Sequence, residues 1–112
     1  MTINYSVIAE MADELSIDLS TLTGAYDVIG TLQYNPVQII FDNQSSDTDV
    51  EISNNGTSTW KTFPAGEALV LDMRGNHGIA HNYSFRKGMK LYAKGTAGTN
   101  NFSISYTYAQ VL

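Results

Sequence analysis

The sequence predicts an all-β protein, an antiparallel β-sandwich of jelly-roll-like form with about eight short strands. Three observations lead there. Short runs of β-branched and aromatic residues recur through the 112 residues with turn signals between them. Where a run has a period, that period is two: Met89, Leu91 and Ala93 alternate with polar or half-polar residues, as do Phe102, Ile104, Tyr106 and Tyr108. No stretch holds apolar spacing of three or four over the length of a helix.

In chain order, Ile3, Tyr5 and Val7 alternate with other residues as a first strand or an extended arm. Within 12–22 the acidic pair Asp13 and Glu14 would suit a helix start, yet Leu15, Ile17 and Leu19 are spaced by two, which favours a strand. Thr23 and Gly24 mark a turn. Residues 25–32 give a weaker strand in which Gly30 marks a bulge. Tyr34, Asn35 and Pro36 break the pattern, and 37–41 and 68–73 follow as nearly unbroken apolar runs, read as interior strands. Between them, 49–53 and 58–63 flank Asn54, Asn55 and Gly56, a hairpin signal. A three-residue loop closed by Gly56 sets Val50 opposite Trp60 and Asp49 beside Lys61, with Val50, Ile52 and Trp60 inside and Glu51 and Lys61 outside. The run from Arg74 to Asn82 has two glycines and no period, so it reads as a loop. Arg86, Lys87 and Gly88 form a turn with a basic tip, and 95–99 joins the last two strands. No linker divides the chain: one domain is expected, with 1–36 supplying N-terminal strands or an arm and 37–112 the sandwich core.

Six basic residues against eleven acidic give a net charge of −5, which disfavours nucleic acid, whose binding draws on clustered cations. The absence of cysteine excludes disulfides and thiolate metal sites. No signal peptide and no run of the ~20 apolar residues needed to span a bilayer is visible, so a soluble chain made in the cytoplasm is expected. Charged residues are only 15% and tyrosines number seven, a composition suited to life against other proteins. Four Asn-x-Ser/Thr triplets, at Asn43, Asn55, Asn82 and Asn101, read as polar turn composition.

The residues that might carry chemistry each have a plainer reading. His77 and His81 are four apart, but Gly75 and Gly78 oppose a helix and no third ligand stands near, so a polar loop is expected rather than a metal site. Asp42, Asp47, Asp49 and Glu51 offer oxygens to calcium but lack the spacing of a calcium loop. No nucleophile elbow and no glycine-rich phosphate loop before a helix is present, so no catalytic residue and no cofactor is assigned. Tyr92, Tyr106 and Tyr108 suit stacking on sugars or subunits, or burial in the sandwich.

The segments Phe41-Asp42-Asn43-Gln44, Asp49 to Gly56, Trp60 to Gly66 and Leu69 to Asp72 resemble the small β-sandwich virion proteins of tailed bacteriophages, and so do Phe85 to Gly88, Leu91 to Gly95 and Ser105 to Ala109. The likeness runs from Val37 to the C-terminal end. It implies a non-enzymatic virion structural protein, synthesised in the host cytoplasm, that decorates and cements capsids or joins head to tail at the neck. Its implied partners are other virion proteins and further copies of itself, with neither nucleic acid nor membrane. The residues expected at interfaces are Ile3, Tyr5 and Val7 of the arm, as a strand added to a neighbour's sheet edge, and the basic Arg74, Arg86 and Lys87. A carbohydrate-binding sandwich that grips a glycan with its tyrosines is the alternative.

Overall fold

The computed structural model describes residues 7–72 and 85–111. Among these, nine strands and one short 3-10 helix make up the regular structure. The strands are β1 (Val7–Met11), β2 (Leu15–Asp18), β3 (Asp27–Thr31), β4 (Gln38–Asn43), β5 (Val50–Ser53), β6 (Lys61–Phe63), β7 (Ala68–Asp72), β8 (Lys90–Lys94) and β9 (Asn101–Val111). The helix, Leu19–Thr21, starts where the Asp18 carboxylate accepts the Ser20 N–H at 2.9 Å.

Two antiparallel sheets face each other. The first has the order β1-β9-β4-β7, with β2 also on β9, and the second β3-β8-β5-β6. With β1 and β2 taken as one interrupted strand along β9, the pairs are nested: first with last, β3 with β8, β4 with β7 and β5 with β6. A long hairpin rolled across both sheets produces that order, which is the jelly roll. Nine strands are present among the described residues where about eight were expected. Segments before residue 37 belong to both sheets, since β1 and β2 pair with β9 and β3 with β8.

Period-two alternation places the core between the sheets. Ile39, Phe41 and Asn43 of β4 are buried while the residues between them are half-exposed, and Leu91 and Ala93 alternate with Lys90, Tyr92 and Lys94. Phe41, Phe63, Phe85 and Phe102 form an aromatic centre, with ring centroids 5.3–5.6 Å apart along the chain of contacts. Gly30 sits at a register shift in β3, as expected of a bulge. A Cβ there would lie 2.9 Å from Leu15 Cδ2, the end of a side chain that reaches across from β2.

Two expectations are corrected. The β5–β6 hairpin exists, but Val50 pairs with Phe63 and Ile52 with Lys61, so the register is shifted by three residues from the expected one. The cause is a longer loop, 54–60, held by its own side chains: Ser53 Oγ accepts the Asn55 and Gly56 N–H groups, and Asn55 Oδ1 accepts those of Thr57 and Ser58. Phe63 rather than Trp60 then fills the core opposite Val50. Trp60 lies half-buried at the sandwich end, 4.9 Å from Phe85 and 5.2 Å from Phe41. Val50 and Ile52 are inside and Lys61 is exposed, as expected. The second correction concerns β7, read as an interior strand. Among the described residues it pairs only with β4, and its alternate residues are exposed, Val70 by 53%.

Candidate functional site

Three connections meet at one end of the sandwich: 32–37 after β3, the loop 54–60, and the turn 85–89 that leads into β8. Backbone bonds lock the first to the third. Gly88 N–H donates to the Leu32 carbonyl at 2.8 Å, Leu32 N–H to the Met89 carbonyl at 2.9 Å, and Lys87 N–H to Asn35 Oδ1 at 2.9 Å. The turn is thereby fixed with the Arg86 and Lys87 side chains exposed.

Beside it is a cleft of about 360 Å³ lined by Asn54, Arg86, Lys87, Gly88, Met89, Lys90 and Tyr92. Among the described residues its lining holds three cations and no carboxylate, and one wall is an aromatic ring. The ring position is set by Gly56, whose φ of 77° suits glycine and whose missing Cβ would stand 3.0 Å from Tyr92 Cζ. Such a cleft suits an anionic group on a partner, held at the rim by mobile lysine and arginine ends and flanked by a stacking surface.

A second cluster lies where β1 and β9 run together. Tyr34 and Tyr108 stack with centroids 3.7 Å apart and planes within 5°. A hydrogen bond with the Tyr34 side chain, then loss of solvent, then the fields of Tyr34, Glu10 and Tyr106 hold the Tyr108 phenol above its ordinary value. Tyr106 is a core residue whose hydroxyl accepts the Gln33 N–H at 2.8 Å, tying 32–37 to β9. The three tyrosines singled out by sequence therefore divide: Tyr106 is buried, Tyr108 stacks within the chain, and Tyr92 lines the cleft.

No known protein family, curated protein or solved structure matches the chain. The residues alone carry the reading of the site.

Of the residues expected at interfaces, Arg86 and Lys87 are brought together in the cleft, whereas Ile3, Tyr5 and Arg74 lie outside the described residues. Val7 begins β1 and its backbone pairs with Val111 of the same chain. Lys90 and Asn54 were not singled out by sequence. Lys90 follows the turn directly as the first residue of β8, while Asn54 belongs to a hairpin loop that the pairing of β5 with β8 brings beside it. His77 and His81 also fall outside the described residues. The four carboxylates considered for calcium have separate duties. Asp47 Oδ1 accepts from Ser45 Oγ, Thr99 N and Thr99 Oγ1 at 2.7–3.1 Å, which holds its carboxyl below the ordinary value, first through the Thr99 backbone bond. Asp49 accepts the Ala65 N–H, Glu51 accepts the Thr59 hydroxyl, and Asp42 Oδ2 accepts from Gln44 Nε2 two residues on. Among the described residues no three such groups converge. Asn43, first of the glycosylation triplets, is fully buried, so its amide serves the fold.

Proposed function

We propose that the chain is a non-enzymatic structural protein of a bacteriophage virion, a capsid decoration or cement protein that stabilises the particle through repeated protein contacts. The jelly-roll winding supports the reading best, because viral capsid domains use this architecture to present loops and edges to neighbours. Fold alone does not assign function, so the surfaces must contribute. They offer two kinds of contact. The basic cleft accepts an acidic group of a neighbour. The β1–β9 ribbon offers backbone: among the described residues β1 pairs only with β9, and β9 beyond Thr107 pairs only with β1, leaving edges open to an added strand. Val7, the first residue of β1, lies on this ribbon. In this reading the protein is made in the host cytoplasm and resides in the virion as one of many copies, each contact weak and the set strong.

Lectin domains share the architecture, and the Tyr92 ring beside Asn54 favours a glycan as the second reading. Isolation from the native source separates the two. Sedimentation with assembled particles is the expected result. Recovery only as free protein, together with retention on a glycan resin that Tyr92→Ala abolishes, would replace the first reading by the second.

A further inference from the structure

Charge divides between the two sheets. No strand of the first sheet contains lysine or arginine, while those strands hold Asp18, Asp42 and Asp72 at outward positions and Glu10 on the side of Tyr106 and Tyr108. The second sheet holds Lys61, Lys90 and Lys94 against Asp27 and Glu51, with Asp27 on the inward side in register with buried Ala93, and Arg86 and Lys87 precede β8. All the described cations therefore lie on one sheet or on the turn leading into it. Exposed apolar residues mark the same two faces. On the outer face of the first sheet, Met11 lies beside Thr107, and Ile40 pairs with Val70; Met11 is 65% and Val70 53% exposed. On the outer face of the second, Val28 pairs with Tyr92 between Lys90 and Lys94, and is 53% exposed.

We infer that the outer face of the first sheet is a docking surface for the outer face of the second sheet in another copy of this chain. Charge complementarity selects that occupant. Two first-sheet faces together set carboxylate against carboxylate, and two second-sheet faces set lysine against lysine, so the symmetric pairings are disfavoured and the head-to-tail one is not. Glu51 also faces outward beside Lys94, but its Oε1 accepts the Thr59 hydroxyl and Lys90 and Lys94 outnumber it on that face. Short side chains at Ser103, Ser105 and Thr107 keep the first face low enough for close approach. Four strands at ~4.8 Å spacing and six residues at ~3.3 Å rise give a face of roughly 400 Å², about half of what a stable interface buries per partner. A single contact is accordingly weak, and unequal faces propagate it into rings or rows of copies. The inference rests on the assembly reading and names one of its partners, yet it is tested on the purified chain. Its failure leaves co-sedimentation with particles unaffected.

The test uses two double variants. Asp42→Lys with Val70→Lys makes the first face basic; Lys90→Glu with Lys94→Glu makes the second acidic. In analytical ultracentrifugation at low salt, the average mass of the wild type is expected to rise with concentration. Each variant alone stays monomeric, and their equimolar mixture associates again, because each supplies the face the other has lost. A monomeric wild type, association of either variant alone to the wild-type extent, or a mixture that stays monomeric overturns the inference. Circular dichroism checks that both variants fold. If one does not, the salt response of the wild type decides: association must fall in high salt, and indifference to salt overturns the inference.

Discussion

Replacing Asn43 with aspartate keeps its shape and reverses its chemistry. The amide is fully buried at the end of β4, where Nδ2 donates to the carbonyls of Thr48 and Phe63 at 3.0 Å and of Pro64 at 3.2 Å, and Oδ1 accepts the Ser45 N–H at 3.1 Å. One side chain thus ties β4 to the 44–49 loop and to the end of β6. In N43D an oxygen faces those three carbonyls. Losing both N–H donors leaves buried acceptors unsatisfied at ~1–3 kcal/mol each, and keeping a carboxylate there adds a desolvation cost that protonation caps. A loss of about 4–6 kcal/mol at neutral pH is expected, against ~2–4 kcal/mol for N43A, which removes the donors without adding charge. Either is a large share of the ~5–15 kcal/mol that holds a domain together. Urea titrations at neutral and mildly acid pH read the difference. The introduced carboxyl has a raised value in the folded state, so its penalty is absent at low pH and grows as pH rises through the unfolded value. The gap between N43D and N43A should narrow in acid. A variant within ~1 kcal/mol of wild type at neutral pH would refute the account of Asn43 as a buried donor hub.

Four other perturbations follow from the same structure. Asp47 has a lowered folded value, so its contribution is present above the ordinary carboxyl range and is lost as pH falls through the folded one; D47N should flatten that acid limb, read from hydrogen exchange at the Thr99 amide. Gly56→Ala should cost about 1–2 kcal/mol and displace the Tyr92 ring, visible as shifted Tyr92 resonances; unchanged resonances would contradict the close approach. Trp60→Ala should cost about 2–3 kcal/mol, below the ~3–5 kcal/mol of a fully buried tryptophan, and Trp60 emission should be partly quenched by aqueous quenchers. Arg86→Glu with Lys87→Glu should weaken attachment to particles at low salt and less so at high salt, with the melting temperature unchanged; attachment insensitive to both would remove the cleft from the interface.

Much of the fold was legible because alternation is a local signal. β4, β5, β8 and β9 stand where β-branched and aromatic residues alternate or cluster, and the bulge stands at Gly30. The hairpin register was not, because it depends on Ser53 and Asn55 choosing backbone partners within the loop, and on Phe63 being buried between Phe41 and Phe102. β7 was read as interior since its composition matches β4; its place at an edge depends on which strands reach it. The same holds for the site. Arg86 and Lys87 announce themselves as neighbours in sequence and Lys90 and Tyr92 follow them on β8, while Asn54 joins them only through the pairing of β5 with β8. The separation of charge between faces is present in the composition of each strand but has no meaning until the strands are assigned to sheets.

The nested pairing of strands also bears on the order in which the chain gains structure. Leu15 and Ile104 are neighbours in the sheet although 89 positions apart, whereas β5 and β6 are separated by only seven residues. Closing the outer pair first would cost about 2 kcal/mol more in loop entropy than closing the inner one. Once β5 meets β6, however, β4 and β7 are held close, then β3 and β8, and finally β2 and β9. Each closure shortens the next, so a topology of distant contacts can be reached through a succession of near ones. The β1–β9 ribbon, with its open edges, then belongs to the last step, and the edges that a neighbour would use come into being only after the core beneath them has closed.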